Sequence, residues 1–211
     1  MKISLARSLT CLIALGAVAF LPALYGIDAA SWSLEDVLAK IETTNGGIDA
    51  IESTTNLRVR GSVQTDGLSY DFLLLKKRPN KVRIHMMYKG RSVETGFDGV
   101  TGWRRVWVNG RDTVKELSET ELANANLDID FDGPLIGDPL PGTERTFEGV
   151  ERINRIDYFI IKVENDLART RHYIDSRTFR EWRTVREILE SGEVAGKVDT
   201  LYSQYRRHKT I

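Results

Sequence analysis

Cysteine is almost missing from this chain. Its 211 residues contain only Cys11, close to the N-terminus. Residues 1–30 read as a segment that export removes. The mature protein then has no thiol, which excludes disulfides, thiolate metal sites and a cysteine nucleophile. An excess of either charge is missing too. Lys plus Arg and Asp plus Glu are both 30. That balance argues against nucleic acid as a partner, because a nucleic-acid surface needs a basic excess. Loss of Lys2, Arg7 and Asp28 leaves the balance near neutral. No glycine-rich phosphate loop occurs, and no G-x-S-x-G elbow. His85, His172 and His208 fall on or beside different strands, without the close spacing of zinc ligands. Asp128, Asp130 and Asp132 gather three carboxylates but lack the ligand pattern of a calcium loop. They read as turn and cap residues. The expectation is a non-enzyme with no metal and no cofactor. Three of the five prolines lie in residues 131–142, so no Pro/Ser linker divides the chain. About 180 mature residues make one domain. A chain of that size buries about 70% of its unfolded surface and holds a core without staples.

The N-terminus has the three parts of a secretory signal. Lys2 and Arg7 are the positive flank, residues 9–24 are apolar, and Ala29 and Ala30 offer small residues for cleavage. Asp28 departs from an ideal A-x-A. The apolar run is shorter than the roughly 20 residues of a spanning helix. Cys11 precedes most of that run, so acylation there would discard the signal's own core. The chain is expected to be exported and cleaved. The alternative is an uncleaved inner-membrane anchor.

Mature residues begin with one helix. Ser33 caps it, Glu35 and Asp36 complement its positive end, and Leu34, Val37, Leu38 and Ile41 form one apolar stripe. Asn45-Gly46-Gly47 stops it, and a short helical turn over residues 48–52 follows. The period then changes to two. Strands are expected over 57–64, 68–77, 82–88, 92–97, 100–108 and 111–115, separated by Asp66-Gly67, Pro79-Asn80, Lys89-Gly90, Asp98-Gly99 and Asn109-Gly110. Ser118-x-x-Glu121 is a capping box that opens a second helix, 119–127. After the proline-rich loop, strands resume at 146–154, 158–164, 169–175, 181–189 and 194–205. Consecutive hairpins give an up-and-down antiparallel sheet. Accumulated twist curls a sheet of about ten strands toward a barrel. The expected fold is mainly β with two helices, a single curved sheet forming an unclosed barrel. Leu34, Val37, Leu38, Ile41 and Leu122 would form the helical lid. Phe72, Leu74, Ile84, Met86, Phe97, Trp103 and Trp107 would line the cavity wall, with Ile84, Met86, Phe97 and Trp103 as the first candidates for ligand contact. A one-residue register slip would turn these outward. Small barrels are either filled by side chains or hold one apolar ligand, and periodicity does not choose between the two.

Residues 76–103 carry R-P-N-K and F-D-G-x-T-G-W. With Phe131-Asp132-Gly133-Pro134-Leu135, residues 158–163 (YFIIKV), Tyr173-Ile174-Asp175 with Thr178, and Tyr202-Ser203-x-Tyr205-Arg206, they follow a consistent order. This combination resembles the LolA/LolB-like superfamily of outer-membrane lipoprotein-sorting proteins over roughly residues 34–206. The resemblance implies an unclosed barrel with a helix lid and a periplasmic location. It implies a carrier that buries acyl chains, with acylated lipoproteins or other lipids as cargo. An inner-membrane transporter and an outer-membrane receptor are the implied partners, and the carrier is expected to be a monomer. The alternative is a regulatory or interaction module with a filled core that senses lipoproteins or a membrane partner. A cavity arginine of the carriers is not transferred to Arg58, Arg60 or Arg83, since no motif aligns it. Superfamily members continue past the Tyr-Ser-x-Tyr-Arg strand, whereas this chain ends at Ile211. The last strand is therefore expected to be absent, leaving an exposed edge, or the chain is truncated.

Overall fold

A computed structural model describes residues 26–65, 68–118, 121–122, 130–203 and 205. Most of the signal segment, the Asp66-Gly67 turn and most of the second helix lie outside the described residues. Helix α1 spans Leu34–Thr44. Ser33 Oγ accepts from the Asp36 amide at 3.1 Å, and the Asp36 carboxylate accepts from the Ser33 amide at 3.1 Å. This reciprocal cap satisfies two of the amides that a helix start leaves unpaired. Gly46 and Gly47, at φ +106° and +83°, release the chain from α1. A short helix α2, Ile48–Ser53, follows.

The first sheet is a meander: β1 (Asn56–Thr65), β2 (Leu68–Lys77), β3 (Lys81–Tyr88), β4 (Arg91–Phe97), β5 (Gly102–Val108) and β6 (Arg111–Glu116). Its order in space is its order in sequence. The second sheet holds β7 (Glu144–Ile153), β8 (Ile156–Glu164), β9 (Ala168–Asp175), β10 (Glu181–Glu190) and β11 (Glu193–Leu201), again in sequence order. Turn chemistry explains the tight hairpins. Asn109 and Gly110 both have positive φ, 53° and 77°, which a two-residue hairpin between twisted strands requires. The mainly β, unclosed architecture with helices is therefore present. The ladder is interrupted between β6 and β7, so the meander runs as two sheets of six and five strands. The interruption coincides with the capping box and the proline-rich loop, where Pro134, Pro139 and Pro141 lack the amide a ladder needs.

The core sits on the second sheet. Val37 and Ile41 of α1 meet Phe159, Ile161 and Val163 of β8, Ile174 of β9 and Leu135 of the loop. Trp32 and Phe179 close on Phe159, at ring separations of 4.8 and 5.8 Å. Leu34 and Leu38 pack at the margin of the same cluster. The apolar stripe of α1 thus covers β7–β9. No residue of the first sheet belongs to this cluster among the described residues.

Truncation should show the division. Phe159 is 0% exposed, so Phe159→Ala is expected to lower stability by about 3–5 kcal/mol. Phe72→Ala, at a half-buried position, should cost clearly less. Urea unfolding of both variants checks this, and equal losses would place a shared core under both sheets.

Candidate ligand-binding site

Strand register assigns the faces of the first sheet. Leu74 pairs with Val59 and Ile84, and Ile84 with Thr95. Phe72 pairs with Met86, and Met86 with Val93. Val82 pairs with Phe97, and Phe97 with Gly102. Directly paired residues point to the same side of a sheet, and side chains alternate along each strand. Phe72, Leu74, Ile84, Met86 and Phe97 therefore share one face. Trp103 pairs with Gly96, and Trp107 with Ser92. That puts both tryptophans on the opposite face. Trp103 lies flat across Gly96, whose missing side chain makes the room: a Cβ there would stand 2.6 Å from the indole.

The helical lid marks which face is covered. Gly102 lies on the face of the five candidates. Leu122 and Leu117 close on it so tightly that a Cβ would meet Leu117 at 3.0 Å and Leu122 closer still. Glu121, at the start of this helical segment, accepts from Lys115 Nζ at 2.9 Å and from Arg104 at 3.0 Å. Its carboxylate also accepts from the Ser118 amide at 3.1 Å, which completes the capping box. Lid residue Leu122 thus covers the first sheet, while Leu34, Val37, Leu38 and Ile41 cover the second. Beyond this contact the covered face stays open. Phe72, Leu74, Ile84, Met86 and Phe97 are all half-buried, and Val63 and Val93 on the same face are exposed. The apolar side chains of this face are thus partly exposed and outside the core cluster.

The sequence reading missed a second concavity. It has a volume of about 520 Å³ and lies between β8–β10, the β2–β3 turn and loop 130–143. Its rim is fixed by Arg78. The guanidinium grips the Asp132 carboxylate through two bonds of 2.7 and 2.5 Å. It stacks over Phe131 at 4.3 Å. It also donates to the carbonyls of Thr54 and Ile51. Hydrogen bonding to Asp132, ahead of all other influences, raises the Arg78 pKa further above its usual range. Read along the chain, R-P-N-K and F-D-G-P look like two separate turn motifs. In space they are the two halves of one clasp. His172, one of the strand histidines without zinc spacing, is 4% exposed. The available signal was the alternation Ala168, Thr170, His172, Ile174 on β9, which puts the ring on the core face. Among the described residues, no group of three potential ligands could hold a metal ion.

No protein-family model matches the chain, and no curated protein matches it. Among solved structures the chain is similar to a DUF1329 family protein from Desulfovibrio piger ATCC 29098. That match has TM-score 0.48 and 12% identity and covers 78% of this chain and 77% of that one. It is also similar to a LolA superfamily protein from Nitrosomonas europaea, at TM-score 0.42 and 15% identity, covering 80% of this chain and 75% of that one.

The lid's attachment should depend on pH. Hydrogen bonding from Lys115, then from the Ser118 amide, lowers the Glu121 pKa from 4.5 to about 2. A lowered carboxylate pKa stabilises above the ordinary value, and the contribution disappears as pH falls from there through the folded value. The cap and both ion pairs should persist at pH 5 and dissolve toward pH 2. A ¹³C titration of the Glu121 carboxyl is expected to show a midpoint near 2; one near 4.5 would mean that the contacts do not form. Separately, Arg78→Leu should free loop 130–136 and speed its amide exchange, with β8 and β9 unchanged.

Proposed function

We propose that the protein is a carrier of lipid acyl chains, without enzymatic activity. One observation carries this reading: an apolar face of the first sheet, capped at one end by Leu117 and Leu122, is left out of the core. Acyl chains laid along Phe72, Leu74, Ile84, Met86 and Phe97 exchange water for hydrocarbon. Each buried CH₂ contributes about 0.8 kcal/mol, so chains of ordinary length bind without any polar contact. Release follows from displacing the lid segment, which is attached by Leu122 against Gly102 and by the pairs of Glu121 with Arg104 and Lys115. Ion pairs near the surface are worth about 0–1 kcal/mol each, so they add little to the cost of opening.

The finer reading is a periplasmic protein, exported through a cleaved signal, that takes acylated lipoproteins or other lipids from an inner-membrane transporter to an outer-membrane receptor. The sequence resemblance and the apolar N-terminal run support it. The rival, a sensing module with a filled core, fits the packed second sheet but leaves the open first sheet without a purpose.

Mature protein purified from its native host is expected to carry lipid in native mass spectrometry, or to accept it from an acylated lipoprotein. Ile84→Asp and Phe72→Asp should lower loading by about tenfold or more. Met87→Asp, on the opposite face, should not. A wild-type protein that neither carries nor accepts lipid overturns the reading, as does equal loss in all three variants.

A further inference from the structure

Charged groups of the second sheet are largely spent on one another. Arg169 pairs with Glu164, Arg171 with Glu148 and Arg183 with Asp199. Nδ1 of buried His172 lies 2.5 Å from the Glu181 carboxylate. The first sheet is charged differently on its two sides. Among the described residues its strands hold the acids Asp71, Glu94, Asp112 and Glu116. Asp112 pairs with Trp107 and Glu116 with Trp103. Glu94 pairs with Arg105, which shares the tryptophan face by alternation. Asp71 adjoins Phe72 in β2 and so points the other way. All of these acids therefore face away from the apolar side. That side carries cations instead: Lys76, Arg91, Arg104, Arg111 and Lys115.

The cations divide between the two ends of the strands. At the lid end Lys76 donates to the Asp130 carbonyl, and Arg104 and Lys115 donate to Glu121. Arg91 and Arg111 stand at the other end, where the hairpins β1–β2, β3–β4 and β5–β6 close. Both are exposed, and neither side chain has a partner among the described residues. The ladder, continued by one residue past Asp71–Met87 and Ser92–Trp107, sets Val63, Tyr70, Tyr88, Arg91, Val108 and Arg111 in one row. The Tyr70 and Tyr88 rings are 5.1 Å apart, and Lys89 Nζ stands 5.2 Å from the Tyr88 ring centre. Arg91 and Arg111 are two strand spacings apart, about 10 Å, so both guanidiniums reach a group held between them. By sequence, Asp66 is the one acid in these three turns, against Lys89, Arg91 and Arg111. Asp112 is held by Arg105 on the far side. The next row inward, from Gly61 through Phe72, Met86, Val93 and Val106 to Thr113, has no charge. A cationic rim thus borders an apolar floor.

We propose that this rim binds the headgroup phosphate of an anionic phospholipid whose acyl chains lie on the apolar face. The proposal rests on the carrier reading above and names its cargo. A phosphodiester has two charged oxygens, one for each guanidinium, and Arg suits phosphate because its donors form a planar fork. Lys89 adds a third positive charge. The stacked tyrosines stand between headgroup and chains, where a ring with one apolar body and one polar tip belongs.

The test is calorimetry on the mature protein with dihexanoylphosphatidylglycerol, dihexanoylglycerol and glycerol phosphate. The phospholipid is expected to bind at least about tenfold more tightly than dihexanoylglycerol, and glycerol phosphate not measurably. In wild-type protein, needing no variant to fold, that preference should shrink as NaCl rises from about 20 to about 500 mM. In the double variant Arg91→Gln, Arg111→Gln it should fall below about twofold. Arg60→Gln, on the opposite face, should keep it. Equal affinity of the two lipids overturns the proposal and leaves the carrier reading standing. A preference that ignores salt, or survives the double variant, does the same. Glycerol phosphate binding as tightly as the phospholipid overturns it too, as the site would then serve free phosphate. If neither lipid binds, the carrier reading falls with it.

Discussion

The interior of this protein depends on one guanidinium. Arg78 stands in the turn between β2 and β3, and it reaches two segments that are far from it in sequence. It bonds the carbonyls at the end of α2, the carboxylate of Asp132, and the ring face of Phe131. A bidentate guanidinium–carboxylate fork fixes orientation as well as distance. Loop 130–136 is thereby laid across the end of the second sheet, where Leu135 completes the core beside Val37 and Ile41. The fork acts together with Lys76, which donates to the Asp130 carbonyl, and Arg145, which donates to the Ile136 and Gly137 carbonyls. The same placement closes one side of the cavity beneath His172.

Packing and openness are divided between the two sheets. The second sheet carries its stability in buried aromatic and aliphatic contacts under α1, with Phe159 and Ile161 fully enclosed. The first sheet is held chiefly by its own hairpins and by pairing along six consecutive strands. Its apolar face is partly covered, so its residues contribute only part of their transfer free energy to folding. The uncovered remainder is available to a ligand. Regions with few buried contacts are also those that open most readily.

Most of the strand order was legible in the sequence, because alternation and turn residues coincide. Both capping boxes form, at Ser33 with Asp36 and at Ser118 with Glu121, and the first uses Asp in place of the usual Glu or Gln. The shared face of Ile84 and Met86 followed from alternation alone. The side of Trp103 and Trp107 is set by the length of the turn before β5. Phe97 pairs with Gly102 across an Asp98-Gly99 turn of even length, so odd positions on β4 face with even positions on β5. The tryptophans, at odd positions, go the other way. The His172–Glu181 pair was not legible. A register shift between Glu181 and Arg183 turns Glu181 back toward the His172 side, and a bulge of that kind leaves no mark in the hydrophobic pattern. The clasp of Arg78 on Asp132 was hidden for another reason: its partners are 54 residues apart.

In a closed barrel, strand number and stagger fix the diameter. Here the seam between β6 and β7 removes that condition. The two sheets can spread or draw together without breaking a single ladder hydrogen bond, since none crosses the seam among the described residues. Girth becomes an adjustable quantity, set by what lies between the sheets rather than by the backbone. One unchanged set of strand pairings is compatible with more than one width.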